Sequence, residues 1–420
     1  MLWILGVAQG VELVGPEDGA VDLPTEVVLE VAADAEVRFF GRGPWEPGED
    51  FSIIVLPDTQ FYACDCSGGE SATFYAQTEW AVSVLETRNV KFVTHLGDCV
   101  EHGDDEMSEW DVVAAAYETI EASGVPFGVA VGNRDQSPYG DPDGTTVGYN
   151  QTFGIERFEG YSWYGGHRGD DNDNHYETFS GGGLDWIIVH VEYDQSSESE
   201  LAAWVASVLE DHRDHAAIVV SHYLLNGSGQ FSTQGELLDE ALADYDVVAM
   251  LAGHYTAETH RSDDHGDHTV HTMLSDYQAL DNGGDGWMRI LTISPRDDTI
   301  TVETWSPTRG EYQDDADSSF TLERALSAPW VDLGSSAVSV QWSGLEYATA
   351  YEWRVVEEDG TTSGPWTFTT AAEAQVEDSV GDSGRAQIST QPGCGCGSGG
   401  AGFWLLGALW LSARRRSPRR

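Results

Sequence analysis

Positive charge is scarce in this sequence. Lys91 is the only lysine, and 20 lysine and arginine residues stand against 72 aspartate and glutamate residues, for a formal net charge of −52. A protein that binds nucleic acid needs a basic surface to neutralise phosphates. We therefore expect no nucleic-acid partner, unless Arg134, Arg157 and Arg168 form a local basic patch. The negative charge favours solubility and cation binding but carries no information about the fold.

Cysteine is also scarce, with five residues in the whole chain. Four of them form two Cys-x-Cys pairs, Cys64 with Cys66 and Cys394 with Cys396, and Cys99 stands alone. An odd number with this spacing does not predict a disulfide framework for a chain of this size.

The apolar runs at the two ends are too short to cross a membrane. Residues 1–8 lack a basic segment and are interpreted as a truncated signal segment. Residues 401–413 fall short of the roughly 20 apolar residues that a transmembrane helix needs. With their neighbours they form a Cys-Gly-Cys, apolar, poly-Arg order over residues 393–420, after a polar linker at residues 371–392.

This C-terminal order resembles the MYXO-CTERM sorting tails of bacterial surface proteins. The resemblance implies an exported protein at the cell surface, in the outer membrane or outside the cell, which contacts the membrane through its tail. The positive-inside rule would keep the arginine cluster cytoplasmic. The alternative is a mobile tail that anchors only weakly. The oligomeric state is not predicted.

Two β-rich segments enclose the central region of the chain. Residues 9–50 and 326–370 alternate apolar and polar positions between turn signals, which predicts strands. Neither segment reaches the roughly 100 residues of a complete immunoglobulin sandwich. The first resembles part of an immunoglobulin-like module and the second part of a fibronectin III-like module. Between them, residues 51–325 alternate predicted strands and helices, which favours a layered α/β domain.

Polar residues follow the predicted strands of this central region. Ligands of α/β folds gather at the carboxyl ends of strands, and carboxylate, amide and imidazole groups bind divalent metals. A pair of such ions can activate a water for attack on phosphorus. The alternative is a series of turns, since Asp and Asn are common turn residues. The polar residues at the strand ends are Asp58, Gln60, Asp98, Asn133, Arg134, Asp135, His222 and His254.

In this order the motifs resemble those of the calcineurin-like metallophosphoesterases, and best the subgroup that begins with Leu-Pro-Asp-Thr-Gln. The likeness covers residues 51–325. It implies a layered metallophosphoesterase-type β-sandwich flanked by helices, which hydrolyses phosphomonoesters or phosphodiesters with one or two Mn, Fe or Zn ions. It also implies two ligand sets: Asp98, Asn133, His222 and His254 for one ion, and Asp58, Gln60 and the shared Asp98 for the other.

The sequence departs from the family at two positions. Thr256 stands where the family has a histidine ligand for the second ion, and Arg134 stands where it has a histidine that protonates the leaving group. We expect Asn133, Arg134, Asp135 and His222 to be catalytic, with Arg134 binding a phosphoryl oxygen. The alternative function is a surface-displayed binding module that keeps the fold without the activity.

The ligand missing at Thr256 has several candidate replacements in the residues that follow. Glu258 and His260 are the nearest in sequence. Three histidines further on are candidates either for this ligand or for a separate zinc site, although a polar loop that leads into a strand is the favoured interpretation. They are His265, His268 and His271.

Overall fold

The computed structural model describes residues 11–373, apart from residues 197, 198, 267, 329 and 359. The predicted signal segment, the sorting tail and all but the first three residues of the predicted linker lie outside the described residues. The predictions about export therefore stay predictions. Among the described residues, no helix is both long and apolar enough to cross a membrane.

The strands fall into an N-terminal group, a central group and a C-terminal group. The N-terminal strands are β1 (Glu12–Gly15), β2 (Ala20–Leu23), β3 (Glu26–Ala32) and β4 (Val37–Arg42). The central strands are β5 (Phe51–Leu56), β6 (Val90–His95), β7 (Phe127–Val129), β8 (Tyr164–His167), β9 (His175–Gly181), β10 (Leu184–Val191), β11 (Ala216–Ser221), β12 (Val247–Ala252), β13 (Ala257–Asp264), β14 (Thr269–Asp276), β15 (Met288–Ser294), β16 (Thr299–Ser306), β17 (Glu311–Gln313) and β18 (Phe320–Glu323). The C-terminal strands are β19 (Val331–Ser336), β20 (Ser339–Ser343), β21 (Ala350–Val356) and β22 (Thr362–Thr370).

The α-helices of the described residues lie in the central region. They are α1 (Gln60–Ala63), α2 (Ser71–Ser83), α3 (Met107–Ser123), α4 (Val147–Phe153), α5 (Ile155–Phe158), α6 (Ser199–Asp211) and α7 (Thr233–Ala241).

The central strands form two mixed sheets. The first has the order β17-β16-β15-β5-β6-β7, with β18 beside β16, and the second has the order β13-β14-β12-β11-β10-β9-β8. Strands β5, β6 and β7 are parallel in the first sheet. Strands β10, β11, β12 and β14 are parallel in the second. The carboxyl ends of each parallel set therefore share one edge of the sheet.

The two sheets pack face to face, and helices cover their outer faces. Both faces of strand β5 are buried. Phe51, Ile53 and Val55 pack between the two sheets. Ile54 and Leu56 pack against the helices. Continuous apolar strands are typical of sheets covered on both sides. Helices α2 and α3 cover the first sheet, and α6 and α7 cover the second. The predicted layered α/β fold is confirmed.

The two β-rich segments at residues 9–50 and 326–370 pair with each other. Strand β3 pairs with β20, and β4 pairs with both β19 and β21. The result is one β-sandwich of a three-stranded and a five-stranded sheet, in which the buried Trp353 stacks on Phe39. The alternation of apolar and polar residues predicted two separate fragments and did not predict this pairing. Their likeness to immunoglobulin or fibronectin modules stays a prediction.

A chain of three buried polar side chains lies between β9 and β10. Glu177 Oε1 is 3.4 Å from His175 Nε2, and Glu177 Oε2 is 3.0 Å from His190 Nδ1. The outer nitrogens contact the Asn172 carbonyl oxygen at 2.8 Å and the Thr94 hydroxyl at 2.9 Å. Burial raises the pKa of Glu177 well above its usual range and lowers the pKa of His175 to about 3. The two Glu177 oxygens and the imidazole nitrogens that face them are buried without a hydrogen-bond partner.

We expect Glu177→Gln to stabilise the fold at neutral pH. The folded state holds the Glu177 proton while the unfolded state releases it above pH 4.5, so the parent loses about 1.4 kcal/mol of stability per pH unit between that pH and the folded pKa. Glutamine keeps the shape without titrating. Urea unfolding at pH 5 and pH 7 should show an advantage of the variant that grows with pH. The exposed Glu118→Gln is the charge-matched control, and equal pH slopes in the three proteins would contradict this account.

Candidate metal centre

Four predicted ligands lie in the loops that follow parallel strands. Asp98 follows β6, Asn133 follows β7, His222 follows β11 and His254 follows β12. His222 Nε2 lies 3.2 Å from Asp98 Oδ2. One ligand atom from each of Asp98, His222 and His254 lies within 4.8 Å of the others. The two sheets thus bring together residues that are more than 150 positions apart in the sequence.

The backbone of this centre adopts conformations that ordinary residues rarely take. Asp98 and His254 have φ values of 52° and 77°, a left-handed conformation that costs a residue other than glycine about 1–3 kcal/mol. Such strain is concentrated at functional sites. Glycines permit the close approaches beside it: a Cβ on Gly132 would lie 2.1 Å from the Asp98 nitrogen, and one on Gly253 would lie 2.2 Å from Asp58 Oδ1.

Hydrogen bonds orient the ligand atoms. His222 Nδ1 donates to the Leu96 carbonyl oxygen at 2.9 Å, so its Nε2 faces Asp98 and Asp58, the latter at 3.9 Å. The Arg134 backbone amide donates to Asp98 Oδ1 at 2.7 Å, which leaves Oδ2 toward His222. This arrangement, in which one imidazole nitrogen is fixed by a backbone carbonyl, is usual for metal-binding histidines.

The buried carboxylates of Asp58 and Asp98 give the centre negative charge, which favours a bound cation. Burial lowers the pKa of His222, but the carboxylates of Asp98 and Asp58 outweigh burial and raise it to about 10. Burial raises the pKa of Asp58, and Asp276 raises it further. His222 Nε2 and Asn133 Oδ1 are buried without a hydrogen-bond partner. A mixed set of carboxylate, amide and imidazole donors fits a divalent ion such as Mn, Fe or Zn, so the residues present fit the implied metal.

The residues of the second predicted ligand set, Asp58 and Gln60, have different neighbours from those of the first set. Asp58 follows β5, and Gln60 begins α1. Gln60 Nε2 is 3.4 Å from Asp98 Oδ2, and its Oε1 is buried without a partner. Thr256, at the departure from the family, is exposed. Its hydroxyl donates to Asp276 Oδ2 at 3.1 Å.

Two residues missed by the sequence analysis complete this half of the centre. Asp276 ends β14 and Gln278 follows it. Gln278 Nε2 donates to Asp276 Oδ2 at 2.9 Å and to Asp58 Oδ2 at 3.3 Å. The missed signal was the same as at the other strand ends: Leu-Ser-Asp-Tyr-Gln places a carboxylate and an amide after a strand that runs parallel to β12.

The candidate replacements for the missing ligand lie elsewhere. Glu258 pairs with the buried Arg289 at 3.2 Å, and the ring of His260 stacks on Phe320 with centroids 4.1 Å apart. His265 contacts Asp239, and His271 contacts the Glu323 carbonyl oxygen. Among the described residues, the histidines at 265, 268 and 271 form no metal-ligand group.

The Arg134 guanidinium contacts other side chains, whereas the Asp135 carboxylate contacts backbone amides. The Arg134 guanidinium pairs with Glu101 Oε1 at 2.9 Å and lies 4.4 Å from the centre of the Tyr139 ring. Asp135 is fully buried, and its Oδ1 accepts from the Cys99 amide and its Oδ2 from the Gly132 amide, both at 2.8 Å. All its contacts are thus with the backbone. Asp135 thus links the two ligand loops through the backbone, and its expected part in catalysis stays a prediction.

Three tyrosines form a wall beside His254 that the sequence analysis also missed. The ring centres of Tyr193, Tyr223 and Tyr255 lie 5.3, 5.4 and 4.5 Å from that of His254. Tyr193, Tyr223 and Tyr255 lie within three residues of the ends of β10, β11 and β12, so they share the sheet edge at which His222 and His254 lie. We name this surface the tyrosine wall.

Cys64 and Cys66 form a disulfide directly after α1, while Cys99 is a buried free thiol. The spacing of the cysteines predicted no disulfide framework and did not predict this bridge. Structural disulfides persist mainly in oxidising compartments. The predicted export stays a prediction.

The central region of the chain is similar to known proteins. Residues 51–258 match the family model described as calcineurin-like phosphoesterase. The chain is 30% identical over 404 residues to the uncharacterized protein YvnB of Bacillus subtilis. That match covers 86% of this chain but only 30% of YvnB, so the chain spans less than a third of the length of this relative.

Two solved structures show weaker likeness. The GAP50 anchor of the inner membrane complex of Plasmodium is 14% identical with a TM-score of 0.44, over 66% of this chain and 89% of that one. A dimetal phosphatase from Danio rerio is 12% identical with a TM-score of 0.44, over 67% of this chain and 100% of that one. Both scores are below 0.5, and nothing about this chain follows from them.

Proposed function

Because residues 51–258 form a calcineurin-like phosphoesterase domain, we propose that this chain is a metal-dependent hydrolase of phosphomonoesters or phosphodiesters. The observation that carries the proposal is the convergence of Asp98, His222 and His254 at the carboxyl ends of strands from both sheets. The unpartnered Asn133 Oδ1 and His222 Nε2 support it. A bound divalent cation would supply Lewis acidity and would lower the pKa of water.

The other residues around the metal centre would bind the substrate and position the ligand loops. Arg134 lies at the rim, where its guanidinium can bind a phosphoryl oxygen through two parallel hydrogen bonds. Glu101 and Tyr139 hold its side chain in place. Asp135 keeps the loops of Asp98 and Asn133 in register through backbone amides. The tyrosine wall offers an apolar contact for the alcohol part of the ester.

The rival function is a surface-displayed binding module without catalysis. Two observations favour it: Arg134 cannot act as a proton donor at ordinary pH, and the exposed Thr256 is a poor metal ligand beside an imidazole. The acidic surface continues to disfavour polyanionic partners such as nucleic acid.

Hydrolysis after metal reloading separates the two functions. The purified chain, stripped with a chelator and reloaded with Mn²⁺ or Zn²⁺, should release nitrophenol from bis(p-nitrophenyl) phosphate or p-nitrophenyl phosphate. Removal of the metal should abolish the release, and reloading should restore it. A protein that binds the metal but hydrolyses neither ester would refute the proposed activity and favour the binding module.

A further inference from the structure

A second group of metal-binding side chains lies between the two sheets. His175 and His190 stand directly opposite each other on β9 and β10. Glu177 lies two residues along β9 from His175 and therefore on the same face of the sheet. All three side chains are fully buried, and one ligand atom from each lies within 4.8 Å of the others. The group shares no residue with the first metal centre.

Four polar atoms of this group face one another without a hydrogen-bond partner in the described part of the chain. They are His175 Nε2, His190 Nδ1 and both carboxylate oxygens of Glu177. Among the described residues, no lysine or arginine forms an ion pair with Glu177. Buried polar atoms are normally hydrogen-bonded, and buried charges are paired or bound to a metal. A divalent ion among the four atoms would provide a partner for all of them.

The outer nitrogen of each imidazole is held in the way that is usual for metal ligands. His175 Nδ1 donates to the Asn172 carbonyl oxygen at 2.8 Å, so its Nε2 carries the lone pair that faces Glu177. His190 Nε2 contacts the Thr94 hydroxyl at 2.9 Å. Such bonds orient the rings of metal-binding histidines. Burial lowers the pKa of both imidazoles, which keeps them in the neutral form that binds metal.

The facing sheet leaves room for this group at a glycine. A Cβ on Gly128 of β7 would lie 2.2 Å from His190 Cε1 and 2.7 Å from Glu177 Oε2, so a larger residue there would displace both side chains. The two imidazole rings are nearly parallel, with centres 4.8 Å apart. An ion bound by both nitrogens therefore requires a ring to rotate about its last side-chain bond, a torsion with broad energy minima.

We propose that His175, Glu177 and His190 form a structural zinc site between the sheets, separate from the first metal centre. Two neutral imidazoles and a carboxylate are a ligand set that zinc favours. The ion takes the place of the proton that Glu177 holds in the metal-free protein. Because all three ligands are fully buried, the ion enters as the chain folds and stays until the core opens. It stabilises the fold because the unfolded chain offers no such site.

Zinc content after chelation tests the site. The full chain is produced in medium with added Zn²⁺ and dialysed against EDTA in its folded state. The His254→Ala background removes a ligand of the first centre, so EDTA should strip any ion bound there. Elemental analysis should then show about one Zn²⁺ per chain, and this ion should become accessible to a colorimetric chelator only when urea unfolds the protein.

Glu177→Gln assigns this ion to the buried group. Glutamine keeps the shape of the side chain but loses its charge, so zinc affinity should fall by at least about 100-fold, because losing even an outer partner costs about 10–100-fold. The variant should therefore hold no EDTA-resistant Zn²⁺. Glu118→Gln removes an exposed carboxylate and should hold as much of this ion as the parent.

The stability of Glu177→Gln should change sign with zinc. Protein from zinc-depleted medium is metal-free, and there the variant should unfold at a higher urea concentration than the parent at pH 7, because it holds no buried carboxyl group. In protein from zinc-supplemented medium the parent gains the stability of the bound ion, so the order should reverse. The Glu118→Gln control should follow the parent in both preparations.

Two results would overturn the zinc site. One is the absence of EDTA-resistant Zn²⁺ from the His254→Ala protein, and the other is its full retention in Glu177→Gln, which would place the ion elsewhere. The higher urea midpoint expected of the metal-free Glu177→Gln shows that the variant folds, so a loss of zinc cannot be ascribed to misfolding. Neither readout depends on phosphoesterase activity, so the site and the proposed function stand or fall separately.

Discussion

Replacing His222 by alanine should remove the first metal and lower kcat/KM for an aryl phosphodiester by at least about 100-fold. His222 Nε2 is buried, unpartnered and 3.2 Å from Asp98 Oδ2, and it offers one of the two imidazoles of the centre. Loss of even an outer partner of a metal ligand costs about 10–100-fold in affinity or activity. Elemental analysis and initial rates on the same preparations measure the two losses together.

Two further histidine variants test whether the loss of metal and activity is specific to the metal ligands. His254→Ala removes a less buried ligand and should produce the same two losses with less risk to the fold. His212 lies at the end of α6, near the amino end of β11 and so at the opposite end of that strand from His222. His212→Ala should keep both metal and activity. A His222→Ala protein that keeps its metal and rate would contradict the assigned centre.

Under the proposed function, replacing Arg134 by histidine should allow the protein to hydrolyse esters with poor leaving groups. The parent has no proton donor at this position, so its kcat should fall steeply as the pKa of the leaving alcohol rises. A histidine there would lie near Glu101, which now pairs with Arg134 at 2.9 Å and would favour the protonated imidazole. General acid catalysis contributes about 10²–10⁴-fold, so alkyl phosphodiesters should gain about 100-fold. Nitrophenyl esters need no proton and should gain little.

The slope of log kcat against the pKa of the leaving group measures this effect. The slope should be steep in the parent and flatter in Arg134→His. Arg134→Gln removes the charge without supplying a proton donor and should keep the steep slope at a lower rate. A parent that already cleaves alkyl esters quickly would show that another group supplies the proton. His102 would be the first candidate, since it is half-exposed and bonded to Glu109 at 2.6 Å.

The first ligand set was predictable because each ligand follows its own strand. An apolar run followed by Gly-Asp or Gly-His can be recognised in the sequence as the end of a strand. The carboxyl ends of parallel strands lie at the same edge of a sheet. Asp98, His222 and His254 therefore came together in the structure as the sequence predicted. Asp276 carries the same signal, a carboxylate at the end of a strand parallel to β12, but it lies 20 residues beyond the position of the missing histidine ligand.

Long-range pairing and loop geometry could not be predicted from the sequence. The segments at residues 9–50 and 326–370 form one sandwich, but nothing in either segment encodes a partner about 300 residues away. Asp135 lies in a predicted catalytic motif, and only the structure shows its contacts with backbone amides. The three tyrosines of the tyrosine wall follow the ends of neighbouring strands β10, β11 and β12, but tyrosine is not a usual metal ligand, so the pattern did not mark them as site residues.

Anomalous X-ray scattering from crystals loaded with Mn²⁺ tests the central claim most directly. Data collected at the manganese absorption edge locate the ion without reference to activity. We expect a strong peak within coordination distance of Asp98, Asn133, His222 and His254. Crystals that contain Mn²⁺ but show no peak at these four side chains would contradict the metal centre and the function proposed from it.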